Sequence, residues 1–306
     1  METVVHEEYA RLKEAQRAAL ERLSMLLCVY DDQLLQQKPR WEAKYIEAFG
    51  VLEQQCYAAF VRSSELRRRI ALARAYMNRG AQPNAAEIDA QIAKEFHEYE
   101  EKLRQMEVER ARAAQILGAK EMTDEDTKRF KQLYRQLAKK LHPDLHPEQT
   151  AEMKKLWQRA MDAYALGDLA RLEILAAIAE SKYADVNTAA TGEKQDVSTS
   201  ILEEMRAALT RTEERIRKCL TALERLEQEF PFKHRALLEN RCAMDERKNE
   251  IKHQIAHYTA ACKELEMQLA MMMQGRAEVL IESIAKAMWR ICRQKAGKKD
   301  TLRWRG

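Results

Sequence analysis

Apolar positions along this chain recur at steps of three and four over long stretches, the spacing that gathers them on one face of an α-helix. A first stripe comprises Leu12, Leu20, Leu23, Leu27, Tyr30 and Leu34. Pro39 is expected to close that helix, because it removes a helical N–H and its ring clashes with the preceding turn. A second stripe, with Tyr45, Phe49, Leu52, Cys56 and Phe60, falls in a helical segment from about Trp41 to Met77. Gly80 beyond it suits a left-handed C-cap. Asn84 and Glu87 have capping-box spacing ahead of a third helix that carries Ile88, Ile92, Phe96, Tyr99, Leu103 and Met106 and ends near Gly118. The first 118 residues thus predict two or three long antiparallel helices.

Thr123, followed by Asp124, Glu125 and Asp126, marks a fourth start, with a hydroxyl to cap it and negative charge in its first turn. This helix should run to Leu141. After a loop held by Pro143 and Pro147, a further helix begins near Ala151, breaks at Gly167-Asp168 and resumes to about Tyr183. Residues 184–199 are rich in Asn, Thr, Ala, Ser, Asp and Gly and form the best linker candidate. Beyond them Ser200 and Glu203 make another capping box. Leu202, Met205, Leu209, Thr212, Ile216, Cys219, Leu223, Leu226 and Phe230 then follow strict alternating steps of three and four, a heptad seam. Pro231 interrupts it, and a second seam follows at Ile251, Ile255, Tyr258, Cys262, Leu265, Leu269 and Met272. The pattern predicts an antiparallel coiled-coil hairpin, or one seam pairing between chains into a homo-oligomer.

Composition agrees with an all-α fold: 33% charged and 7% aromatic residues, with only eight Gly and five Pro in 306 residues. The net charge of +4 is unevenly placed. Residues 290–306 hold seven Lys/Arg against Asp300, so the rest of the chain is slightly acidic and any attraction to nucleic acid or an anionic surface falls to this tail, with Trp289 and Trp304. The six cysteines include no CxxC pair, which gives a zinc ribbon no support. Glu2, Glu7 and Glu8 predict no secretory leader, and no run of 18 apolar residues predicts a membrane span. These features predict a cytoplasmic protein. No nucleotide loop or catalytic cluster appears, so neither an enzyme nor a cofactor is expected. His253 and His257 lie four apart but lack the Glu of a zinc-protease helix, and are expected to be surface histidines. Cys219, Cys262 and Met271 to Met273 are expected to pack in seams.

The stretch Phe130 to Asp144 reads FKQLYRQLAKKLHPD. Phe130, Leu133, Tyr134, Leu137, Ala138 and Leu141 make one apolar stripe. Lys131, Arg135, Lys139 and Lys140, with Lys128 a turn earlier, make a basic face suited to an acidic partner. The tripeptide His142-Pro143-Asp144 follows directly. His142 has only His146 as a near histidine, with no carboxylate and cysteine set around them, so a metal site is not expected.

Here the chain resembles the J-domain family of Hsp70 co-chaperones. Tyr134-Arg135-Gln136-Leu137-Ala138 leading to His142-Pro143-Asp144 matches the family's second helix and its HPD tip. Trp157 ahead of Ala163-Tyr164 matches the third helix, and Ile116-Leu117-Gly118-Ala119 looks like the end of the first. The layout is also similar to uncharacterised bacterial J-domain proteins with helical arms on both sides, which carry a similar Pro-Phe turn, here Phe230-Pro231-Phe232. The resemblance implies a DnaK-type Hsp70 as partner, docked by His142, Pro143, Asp144, Lys131, Tyr134, Arg135, Lys139 and Lys140. The basic face would meet an acidic groove on the Hsp70, Asp144 would engage an Hsp70 arginine, and docking would favour the ATP-hydrolysing state. Leu145 departs from the basic or polar residue common after HPD, and Asp168 to Leu172 replaces the basic fourth helix. The implied organisation is an N-terminal arm at 1–104, a J-domain at 105–182, a linker at 183–199, a coiled-coil hairpin at 200–288 and a basic tail at 289–306. The competing reading is a coiled-coil scaffold that uses the J-like module only as a tether.

Overall fold

The structure, a computed structural model, describes residues 2–183 and 199–273, and every regular element among them is helical. In chain order these are α1 (Glu2–Asp32), a π-helical stretch (Gln33–Gln37), α2 (Lys38–Asn78), α3 (Ala85–Gly118), α4 (Asp124–Leu141), α5 (Ala151–Ala165), α6 (Leu169–Tyr183) and α7 (Thr199–Gln228). A 3₁₀ turn (Phe232–His234) then leads through α8 (Arg235–Glu239) to α9 (Arg241–Met273). None of these helices is long and apolar enough to cross a membrane. The expected linker at 184–198, the hairpin segment after Met273, Cys292 and the basic tail lie outside the described residues.

The expectation that Pro39 closes the first helix is corrected. The chain stays helical through Pro39, which is the second residue of α2. The π-helical stretch just before it explains why: a wider turn shifts the hydrogen-bond ladder where proline lacks its N–H and where its ring would otherwise strike the preceding turn. The caps expected at Thr123 and Asn84 form, but Ser200, expected to cap the helix after the linker, lies inside it as the second residue of α7. Thr123 Oγ1 accepts from the Asp126 N–H at 3.1 Å, and its hydroxyl donates to Asp126 Oδ2 at 2.8 Å. Asn84 Oδ1 accepts from the Ala86 N–H at 3.1 Å, and its amide donates to Glu87 at 2.8 Å. Gly80 (φ 70°) closes α2 and Gly167 (φ 69°) turns the chain from α5 to α6. A Cβ at Gly167 would meet Met122 Cε at 3.2 Å, so backbone conformation and space both favour glycine there.

The described chain forms two compact units. One holds residues 1–45 and 113–239, and the other 46–112 with the described residues from Asn240 onward. In the first, α4, α5 and α6 surround a core of Phe130, Tyr134, Leu137, Leu141, Trp157 and Tyr164, onto which Cys28 and Leu35 are laid. A second cluster joins α1 to α7 through Leu23, Leu27, Ile216 and Cys219. In the other unit, Ile70 and Ala73 of α2 pack on Ile88 and Ile92 of α3 and Met272 of α9, with Arg68 paired to Glu95 at 2.7 Å. Each seam of the expected C-terminal hairpin therefore finds a partner in an N-terminal helix of its own unit. The buried seam positions of α7, including Leu202, Thr212, Ile216, Cys219 and Leu226, face a cost of roughly 2 kcal/mol per large apolar side chain if uncovered.

Candidate functional site

The site grows from α4, whose two faces have different jobs. Its inner face carries Phe130, Tyr134, Leu137, Ala138 and Leu141, all buried. Phe130 and Tyr134 stack on Tyr164 of α5, with ring centroids 4.6 and 3.9 Å apart, and Tyr134 also meets Trp157 at 5.4 Å. The ladder fixes α4 against α5 and so fixes where α4 ends.

At that end His142 leaves the helix in an extended conformation. Its ring is buried, set edge-on to Trp157 at 5.0 Å, and its Nδ1 accepts the Asp144 N–H at 3.0 Å. Accepting at Nδ1 requires a neutral ring. Burial holds it neutral by pushing its pKa down to about 4, against the upward pull of Asp144. His146 meets the Lys139 carbonyl through Nε2 at 2.6 Å, and Gln149 donates to the Leu141 carbonyl, so the loop is tied back to the helix it leaves. Pro143 and Asp144 remain exposed at the tip. His142 is thus a buried post, and Pro143 and Asp144 are what the post presents.

The outer face of α4 holds the basic residues, and α1 lies along it. Lys131 Nζ donates to Asp32 at 3.2 Å and Lys139 Nζ to Glu21 at 2.8 Å. Tyr134 donates its hydroxyl to Asp31 at 2.8 Å, and Tyr164 to Asp32 at 2.6 Å. Lys140 turns instead to Glu180 of α6. Arg135 stays exposed. Burial, with the Asp144 charge behind it, raises the Asp31 carboxyl to about 6, although its hydrogen bond from Tyr134 opposes the shift. Burial also raises both tyrosine hydroxyls and lifts the Cys28 thiol to about 11, so Cys28 is no nucleophile. From the other side, Arg215 of α7 donates to the Asp144 carbonyl at 2.7 Å, and Leu145 packs into the α1–α7 cluster.

All eight expected site residues therefore fall on one helix and the turn after it. The structure separates them into groups: Tyr134 and His142 are buried, Lys131 and Lys139 are paired to α1, Lys140 is paired to α6, and Arg135, Pro143 and Asp144 are open. The sequence reading missed Glu21, Asp31, Asp32 and Arg215, which belong to helices far away in the chain. Leu145 was the one visible signal, an apolar side chain directly after the His142-Pro143-Asp144 turn. No group of three His, Cys, Asp or Glu among the described residues could hold a metal ion. No family model, curated protein or solved structure matches the chain, so the functional reading depends on the motif and this geometry.

Proposed function

We propose that this chain is a J-domain-type co-chaperone that docks on a DnaK-type Hsp70 and favours its ATP hydrolysis. The observation that carries the reading is the turn after α4: a rigid, exposed Pro143-Asp144 tip, set by a buried neutral His142, at the end of a helix whose outer face is basic. Such a tip does no bond chemistry. It offers one carboxylate for a charge-assisted bond to a partner arginine, while the lysines and Arg135 steer the approach to an acidic groove. Binding preferentially to the hydrolysing conformation of the partner is then enough to shift it. A cytoplasmic setting belongs to the same proposal and suits Cys28, Cys56, Cys219, Cys242 and Cys262, all free thiols.

The scaffold alternative has less support. Its pairing surface would be the α7 seam, and that seam is already covered by α1 within the chain.

The test is a single-turnover ATPase assay with a DnaK-type Hsp70 and increasing amounts of the full chain. The wild type should accelerate hydrolysis, and Asp144→Asn should bring it back to the unstimulated rate. Asp144 is exposed, so its amide leaves the fold in place. Equal stimulation by wild type and Asp144→Asn rules the mechanism out.

A further inference from the structure

We propose that α1, braced by α7, is an intramolecular clasp that occupies the docking face of α4 and must lift before a partner can bind. The inference rests on the docking role proposed above and adds its regulation.

Three observations carry it. The first is chemical matching. Glu21 and Asp32 sit opposite Lys139 and Lys131, and Asp31 takes the hydroxyl of Tyr134. An acidic helix thereby stands where an acidic partner groove would have to stand, and both cannot use the same lysines. The second is a hold on the tip itself. Arg215 takes the Asp144 carbonyl, and Leu145 is drawn into the α1–α7 cluster, so the turn is tethered from its far side. The departure at Leu145 acquires a purpose here: a polar residue could not anchor the turn in an apolar cluster.

The third observation is that the contact is built to release. α1 holds α7 through apolar side chains, but reaches α4 largely through lysine–carboxylate and tyrosine–carboxylate pairs, with Cys28 the buried apolar contact between them. It also does not seal against α4. A groove of about 290 Å³ remains between them, lined by Glu21, Met25, Cys28, Gln132, Arg135 and Lys139. Exposed ion pairs such as Lys139–Glu21 are individually weak. Two helices joined by an apolar seam can therefore leave α4 together, exposing mainly lysines and carboxylates that water solvates well, at the cost of uncovering Cys28 and the buried Tyr134–Asp31 pair. A closed clasp lowers apparent affinity by the fraction of molecules that are open, without altering the maximal effect once a partner is bound.

The test uses the same ATPase titration on the full chain. In Glu21→Lys/Asp32→Lys, like charges face Lys139 and Lys131. The concentration giving half-maximal stimulation should fall by about tenfold with the plateau unchanged. Arg215→Ala, a half-buried position outside the core clusters, should lower it by about two- to threefold. Glu14→Lys, on the same helix and paired to Arg17 within it, controls for added positive charge and should leave the curve in place. Curves for Glu21→Lys/Asp32→Lys and Arg215→Ala that coincide with wild type, while Asp144→Asn still abolishes stimulation, overturn the clasp and leave docking intact. An equal shift in Glu14→Lys also overturns the clasp, since charge alone would then explain it. No stimulation by any form overturns both proposals.

Discussion

The inner and outer faces of α4 are built from neighbouring residues yet obey different physics. The inner face is an aromatic ladder in which Tyr134, Trp157 and Tyr164 are all nearly inaccessible to water. The outer face is a set of lysines met by carboxylates, with Lys139 and Glu21 both about half exposed. Close-packed rings lose contacts steeply when one is removed, and no solvent can replace them. Lysine–carboxylate pairs exchange one set of hydrogen bonds for another with water at small net cost. The difference teaches what each face is for: the inner one holds the tip in place permanently, and the outer one can change partners.

The largest test of that contrast removes a ring from the ladder. Trp157→Ala deletes the indole that supports both Tyr134 and His142. It should cost about 3–5 kcal/mol of amide-exchange protection in α4 and α5. A loss under about 1 kcal/mol would mean the ladder does not hold the site.

A smaller effect appears with pH, because two buried groups beside α4, His142 at its end and Asp31 on α1, titrate the wrong way. His142 is pushed from 6.5 to about 4. Its unfolded form binds a proton that its folded form rejects, so its contribution is present above pH 6.5 and is lost as pH falls toward 4. Asp31 is raised from 3.8 to about 6. Its folded form keeps a proton that the unfolded form releases, so its contribution is present below pH 3.8 and is lost as pH rises toward 6. Each amounts to about 3 kcal/mol at the limit. The two oppose each other, and the wild type should vary little in stability between pH 4 and 6. Asp31→Asn should then lose stability steadily on acidification, and His142→Gln should gain it. Urea titrations at steps across that range would measure both slopes. Parallel slopes in the two variants would show that neither group is buried as described.

The inner face could be read from the sequence and the outer face could not, for a physical reason. Phe130, Tyr134, Leu137 and Leu141 declare themselves through helical period, and Thr123 and Gly167 through capping and turn chemistry, all local signals. The carboxylates of Glu21, Asp31 and Asp32 look like any solvated helix face until α1 is laid against α4, about a hundred residues away in sequence. Pro39 misled for a related reason. Its effect on a helix depends on the turn before it, and nothing in Gln33 to Gln37 announces a π-helical widening. The heptad seam of α7 predicted that a partner exists, but periodicity carries no address, and α1 fits it as well as a second C-terminal strand of the coil would have done.

The smallest expected effect bears most directly on whether the outer face is replaceable. A double-mutant cycle on Lys139→Ala and Glu21→Ala isolates one exposed pair at 2.8 Å. Its coupling energy should be about 0.5 kcal/mol at low salt and should fall toward zero at about 1 M salt, where the Debye length shrinks to roughly 3 Å. A pair that weak is easily surrendered to a competing acidic surface. A coupling above about 2 kcal/mol that salt leaves untouched would place the pair in a desolvated, permanent interface. The outer face of α4 would then be structural like the inner one, and α1 would be part of the core.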